Sequence, residues 1–474
     1  MRQLRQGIWR KFIAVLSLLI FTLTLLPLPA PATALAAGAT AGWDKDFWVV
    51  YDEAQFLAAF KDDTTTKIRL GADITLSNPG RNDGERKTYC IQLGDKKGDV
   101  IIDGTHMGRT YTLTESPDFW SIYFGCLVLS SGAKYADLRS ITVQNLNYKG
   151  VNEYGIIYIW ATADRLGDNY KKQDKNYCFR LTYDNVNYEG PALSVVYGDH
   201  NYAAPGGGDH NTVVVKDSAL HLTAGPQPPH MNFSPTESGY FKPHHRASEA
   251  VTAQRIELEG NVRITKEDSA HRDDYDSIFL LLYNSPELRV APGAKITIED
   301  AAGGTRPSMD DHPNDSFAKA NMVMYNNIGS TGLFGVWLTG EDARATANVI
   351  IGAGASFTYR HTNGGGGILT DGLTGENGFL NDFILERDAA VTFEARADRK
   401  AITKNGGAYF KANNVSIGEG AQWNYGLSGD LHHENDKLLS VNRLTVDKGG
   451  GLNLAALENT VGQTALAFFG QNPA

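Results

Sequence analysis

The sequence predicts an all-β solenoid, a stack of coils built from short strands in parallel. Three observations predict it. The first is a strand–corner–strand unit with one continuous apolar side. The second is the recurrence of that unit at intervals of about thirty residues. The third is a composition with 50 Gly among 474 residues and only 21% charged. The unit is clearest at Val349 to Tyr359, VIIGAGASFTY. Val349 and Ile351 share one side and Ile350 takes the other. A Gly352-Ala353-Gly354 corner follows, and Ala355, Phe357 and Tyr359 resume the apolar side. Alternation is the period of a half-buried strand, and glycine permits the backbone angles of a tight corner.

Related units are LRVAPGAKITI, FILERDAAVTF, VSIGEGAQWNY, LTVDKGGGLNL and IELEGNVRI. In each, an apolar residue before the corner lies six positions ahead of a partner: 258 to 264, 290 to 296, 351 to 357, 385 to 391, 417 to 423 and 446 to 452. The anchors Leu258, Val290, Ile351, Leu385, Ile417 and Val446 are separated by 32, 61, 34, 32 and 29 residues. The 61-residue interval reads as two coils with one anchor unrecognised. One coil cannot bury its inward side alone, so stacking at the ~4.8 Å inter-strand distance is expected to close the core. A β-sandwich is the competing architecture, but its strands need not repeat a fixed corner offset.

Taken in order, the chain opens with basic Arg2, Arg5, Arg10 and Lys11, an apolar run from Phe12 to Leu26, and an A-x-A pattern before Ala37. Residues 1–37 read as a secretory signal peptide, and residues 38–474 as the solenoid domain. The apolar run is short for a bilayer span, and no other run of spanning length follows. Phe47 to Val50 reads as a strand. Asp52 with Gln55 fits a capping box, and Phe56, Leu57 and Phe60 share one helical face. A short helix here is expected to cover the open end of the first coil. KIRLGADITL and GDVIIDGTHMGRTYTL each supply a strand pair. ITVQNLNYKG and LTYDNVNYEG match at a distance of 40 residues, which places Asn145 over Asn185 and Asn147 over Asn187 in stacked ladders. Irregular stretches interrupt the coils at 164–175, 202–210, 225–250 and 301–316; long loops on a rigid scaffold are where binding is usually found. The sequence ends at Ala474 with no sorting motif and apolar tail, so no wall or membrane anchor is expected.

The formal charge is −10, and losing the four cations of residues 1–37 takes it to −14. That balance lacks the basic footprint of a nucleic-acid binder. Cys90, Cys126 and Cys178 sit in the phrases CIQL, CLVL and CFRL, which suggests one column of buried thiols rather than a disulfide framework.

The chemistry-bearing clusters are few. Arg272, Asp273, Asp274 and Asp276 in HRDDYD, and Asp310, Asp311 and Asp315 in MDDHPND, could in principle supply Ca²⁺ ligands and a base for a polysaccharide lyase, or paired carboxylates for a glycosidase. Both read better as solvated acidic turns, because a site on a solenoid needs neighbouring outward strand positions. HHENDK, His432 to Lys437, has no common zinc spacing. Trp43, Phe47, Trp48, Trp120, Trp160 and Trp337 are aromatics that could stack on sugars, although alternation assigns most aromatics to the core. No catalytic, cofactor-binding or metal-binding residue is assigned, and Ca²⁺ enters only under the lyase alternative.

The opening V-x-D-E-A-Q-F-L-A-A-F with KIRLGADITL, the IIDG corner and the late V-x-I-G-x-G-A repeats together resemble the bacterial pectate lyase-like adhesive domain of secreted and surface proteins of Gram-positive bacteria. The resemblance spans Trp43 to the C-terminus. It implies a right-handed, single-stranded parallel β-helix and a role in attachment, and it supplies no catalytic residues. This sequence lacks the downstream repeats and anchor of typical members, so both a freely secreted chain and a fragment of a longer protein are open. The expectation is a monomeric extracellular adhesin that binds a glycan or a host or cell-surface ligand without catalysis, with no nucleic acid and no membrane insertion of the mature chain. The alternatives are a secreted polysaccharide lyase or glycoside hydrolase, and a passive structural segment of a larger surface protein.

Overall fold

A computed structural model describes residues 39–77, 91–93, 96–117, 122–124, 138–151, 155–161, 180–198, 212–223, 250–267, 280–301, 334–337, 348–361, 370–372, 380–397, 408–429, 437–456 and 464–468. Residues 1–37, the stretch 225–249 and the three cysteines lie outside them. The chain divides into a unit of residues 1–41 and a unit of residues 42–474.

The second unit is a parallel β-helix. Its strands join into one hydrogen-bonded array of 29, and every pairing between coils among the described strands is parallel. The antiparallel strand pairs are two local hairpins, Gly42–Asp44 with Phe47–Val50 and Thr105–His106 with Arg109–Thr110. Three runs of stacked strands make up the array. Long strands such as Arg180–Gly190 bend through a corner and serve two runs, pairing with Thr212–Lys216 before the bend and Ala219–Leu222 after it.

The inward column of the first run follows one register: Trp48, Ile68, Ile102, Val143, Tyr183, Val215, Leu258, Val290, Ile351, Leu385, Ile417 and Val446. From Ile68 to Ile417 these side chains are all but fully buried. Each such side chain contributes roughly 1.5–3 kcal/mol by leaving water. Inward side chains from different runs meet across the core, so Phe383, Phe393, Phe410 and Trp423 form one aromatic cluster with centroids 4.9–6.1 Å apart. In the earlier coils Tyr148 stacks on Tyr188 at 6.0 Å. Glu115, itself buried, accepts from the Tyr148 hydroxyl at 2.6 Å and from the Val151 N–H at 2.7 Å. Burial, reinforced by Glu115, holds both tyrosine hydroxyls well above their ordinary pKa. Gly150 and Gly190 are required beside them, because a Cβ would stand 2.8 and 2.5 Å from the Tyr188 hydroxyl.

Two parts of the sequence reading need correction. Val290 pairs directly with Ile351, and Ile296 with Phe357. The 61-residue interval is therefore one coil, and the residues that lengthen it, 302–333 and 338–347, lie outside the described set. The offset of six is also not universal. Val262, not Ile264, is the register partner of Ile296, so the corner after Leu258 is two residues shorter than those after Val290, Ile351, Leu385, Ile417 and Val446. Periodicity reports which residues face inward and cannot report which coil they pair with.

What the corners do share is a left-handed residue: Asn145, Asn185, Asp217 and Gly260 in the early coils, and Gly293, Gly354, Asp388, Gly420 and Gly449 in the later ones, with φ between 47° and 73°. Asn, Asp and Gly are the residues that visit this region at low cost. The stacked asparagines are as expected: the Asn185 amide donates to Asn145 at 2.9 Å, and Asn187 to Asn147 at 3.0 Å.

The expected column of Cys90, Cys126 and Cys178 falls on residues outside the described set.

Helix α1, Glu53–Lys61, caps the N-terminal end of this unit. The Gln55 N–H donates to Asp52 Oδ1, and the Gln55 side chain accepts from the Tyr51 N–H, each at 2.9 Å. Phe56 and Phe60 are buried in the core, and Leu57 packs against it half-buried. Lys96 is buried at the other end of the helix. Its ammonium donates to the carbonyls of Ala59, at 2.9 Å, Asp62 and Thr65, supplying the cation that a helix C-terminus favours.

Candidate functional site

Period-two alternation sends every second side chain of the first run outward, and register stacks these into ladders. One ladder reads Arg69, Asp103, Gln144, Asp184, Lys216 and Glu259. A neighbouring one reads Arg180, Thr212, Arg255 and Glu287. Opposite charges fall on adjacent or next-adjacent coils, close enough to pair. Lys216 Nζ lies 2.8 Å from Asp184, and this bond raises the lysine pKa. Arg180 lies 2.8 Å from Glu257 and 3.6 Å from Glu259. Glu287 takes Arg289 at 2.9 Å and Arg255 at 3.6 Å. The Arg180–Glu257 pair reaches over the coil between them. There the outward-facing Val214 is only 1% exposed, consistent with a roof formed by the two charged side chains.

At its N-terminal end the strip gains aromatic and imidazole neighbours. The Arg69 guanidinium lies 3.9 Å from the Phe47 ring centroid and 3.2 Å from Asp44 Oδ2. It also lies 3.8 Å from Asp103. Asp103 accepts from the Thr105 N–H at 2.7 Å and from Gln144 at 2.8 Å. His106, buried, places Nδ1 3.6 Å from Asp44.

The strip is a partly exposed row of cations and carboxylates on the outer face of the first run. Such a row can offer charge-assisted hydrogen bonds to hydroxyl and carboxylate groups of a polymer laid along it. Among the described residues, no group of three His, Cys, Asp or Glu could hold a metal ion.

The acidic clusters at 272–276 and 310–315, residues 432–436 of HHENDK, the stretches 164–175 and 202–210, and Trp120 lie outside the described residues. Trp160 and Trp337 fall on third-run strands, Ile157–Ala161 and Phe334–Trp337. Trp43 is exposed and meets Trp48 edge-on at 5.3 Å; Phe47 is partly covered by Arg69. The charged strip has no compact motif, because its members are 32 to 43 residues apart and only register brings them together. Sequence reasoning also passed over a second amide ladder, in which Asn381 donates to Asn348, Asn413 to Asn381 and Asn442 to Asn413 at 3.1–3.4 Å. The near-regular spacing of these asparagines was the available signal.

Fold and face together define a parallel β-helix with a polar outer sheet. A family model described as "Putative pectate lyase-like adhesive domain" matches residues 49–195, so the resemblance read from the sequence holds for the early coils. Two solved structures are similar: the SRRP of Lactobacillus reuteri 100-23, at 12% identity over 90% of this chain and 100% of that one with a TM-score of 0.47, and the SRRP of L. reuteri 53608, at 14% identity over 89% and 99% with a TM-score of 0.31. No curated protein matches the sequence. No helix among the described residues is long and apolar enough to cross a membrane.

Proposed function

We propose that this chain is an extracellular adhesive β-helix that binds a glycan or a glycan-bearing cell surface along the outer face of its first run. The observation that carries the reading is the placement of the charged strip. Its first part, Arg69 through Asp184, falls inside the segment matched by the adhesive-domain model. Sheet hydrogen bonding fixes these side chains at ~4.8 Å steps, so recognition costs little ordering. The N-terminal leader supports secretion, and the acidic balance supports solubility outside a cell. Charge reversal at two points of the strip, Arg180→Glu with Lys216→Glu, should lower binding on a glycan array and to host cells at least about tenfold. Unchanged binding would remove the strip from the reading.

The convergence of Arg180 on Glu257 and Glu259 favours one second reading, a polysaccharide lyase in which an arginine removes a proton beside a uronate carboxylate. Incubation with a panel of acidic polysaccharides, with and without Ca²⁺ or a chelator, tests it by the ultraviolet absorbance of unsaturated products. Chelator-sensitive product would replace adhesion by elimination as the main activity.

A further inference from the structure

The second run carries a different arrangement on its outer face. Thr265 and Glu267 alternate outward at the end of strand Asn261–Lys266, while Lys266 between them turns inward and is buried. His221, on the preceding coil, is the register partner of Thr265. Its imidazole is held at both nitrogens: Nδ1 lies 2.9 Å from Thr265 Oγ1, and Nε2 lies 2.9 Å from Glu267 Oε1. The Glu267 N–H donates to the Leu222 carbonyl at 3.0 Å, which ties the Glu267 backbone to the residue following the histidine. Thr265 Oγ1 also lies 3.4 Å from the Leu220 carbonyl, too long to compete strongly for its proton.

We infer that Glu267, His221 and Thr265 form a carboxylate–imidazole–hydroxyl relay that cleaves carboxylic esters carried on a polymer. The roles follow from the contacts, as such constellations are recognised by geometry and not by chain order. Glu267 fixes the tautomer with the proton on Nε2, which leaves the Nδ1 lone pair facing the threonine hydroxyl. His221 removes the hydroxyl proton at Nδ1 as Thr265 Oγ1 bonds to the ester carbonyl carbon. The tetrahedral adduct collapses, the C–O bond to the alcohol breaks, and the alcohol leaves with the proton held on Nδ1. Water, deprotonated by the same nitrogen, then releases the acid and restores the threonine. The backbone N–H groups of the sheet interior are engaged in the ladder, so the negative charge on the carbonyl oxygen falls to a side chain. Arg263, two residues before Thr265 on the same face and paired with Glu299 at 2.9 Å, is the nearest outward-facing cation on that strand, since Lys266 turns inward.

The substrate class follows from the setting. An ester is indicated over an amide because an alkoxide departs with less help than an amine. A polymer-borne acyl group is indicated because the histidine side chain is 44% exposed on the outer face of a sheet, where an extended chain can reach it. This activity sits on a different run from the proposed adhesive strip and stands or falls separately from it.

The test uses the full chain. A fluorophosphonate probe followed by peptide mass spectrometry should place the adduct on Thr265. Hydrolysis of p-nitrophenyl acetate should fall at least about tenfold in Thr265→Val and His221→Ala, and Thr265→Ser should restore it. An unlabelled Thr265, or a Thr265→Val rate equal to that of the unsubstituted chain, overturns the inference. Unchanged circular dichroism of these surface variants would assign any loss to chemistry and not to folding.

Discussion

The coils before and after Leu258 solve the same corner in two ways. From Val143, Tyr183 and Val215 the chain re-enters the core three residues later, at Leu146, Val186 and Ser218, and the left-handed position is held by Asn or Asp. From Val290 onward the aligned re-entry comes six residues later, after a turn that usually carries glycine. The outer faces differ in parallel. In the column of Glu257 and Arg289 the late coils carry Ile350, Ile384, Ser416 and Thr445, while the ladder of Arg180 and Glu287 continues as Asn348, Asp382, Asn414 and Arg443. Inside, the column that carries Phe357 and Trp423 in the late coils carries Leu146, Val186, Ser218 and Val262 in the early ones. A tight corner keeps the two runs close and suits such side chains, while a longer corner gives room for Phe357 and Trp423. The adhesive-domain match falls on the tight-cornered part, and the polar strip runs on past it to Glu287 and Arg289.

The largest expected effect breaks the contrast in the core. Trp423, 1% exposed and packed on Phe383, Phe393 and Phe410, should cost about 3–5 kcal/mol as Trp423→Ala. Val262→Ala, in the same inward column, removes far fewer atoms and should cost clearly less. Chemical denaturation of both variants measures this, and equal losses would erase the distinction between the two halves.

The corners supply the next test. Asn185 sits at φ 55° and donates to Asn145. Asn185→Ala should lose about 1–2 kcal/mol, combining left-handed strain with a missing ladder bond. Asn185→Gly should lose less, which would identify the backbone angle as the main requirement. The opposite ranking would make the amide ladder matter more than the backbone angle.

The N-terminal cap adds a pH dependence of its own. Burial is the largest influence on Lys96 and lowers its pKa from 10.5 to about 8, against the opposing pull of Asp62 and Asp63. A buried lysine with a lowered pKa binds fewer protons folded than unfolded. Its cost is therefore greatest below pH about 8 and is relieved as pH rises toward 10.5, so it makes stability rise across that window. Denaturation midpoints of the chain and of Lys96→Met from pH 7 to 10.5 should differ in slope with that sign. A steeper fall in the unsubstituted chain would show that the three carbonyls hold the charged form more tightly than burial opposes it.

The smallest effect concerns the strip. Arg180→Ala removes a half-exposed ion pair and should cost no more than about 1 kcal/mol of stability. Thermal unfolding would check it, and a loss several times larger would make the strip a structural brace first and a recognition surface second.

Local pattern carried much of this. Alternation in VIIGAGASFTY and its relatives assigned the inward residues, Asp52 with Gln55 marked the helix start, and the matched ITVQNLNYKG and LTYDNVNYEG segments gave their mutual register and both early asparagine ladders. Those features depend on neighbours within a few residues, or on near-identity between whole segments. Pairing of the remaining coils was left to tertiary structure, because inward facing is the same whichever coil lies next door. That is why the long interval between Val290 and Ile351 was divisible by arithmetic and indivisible in space. The same reason hid Arg180 with Glu257, and His221 with Thr265 and Glu267: their side chains meet across coils whose intervening chain length obeys no local rule.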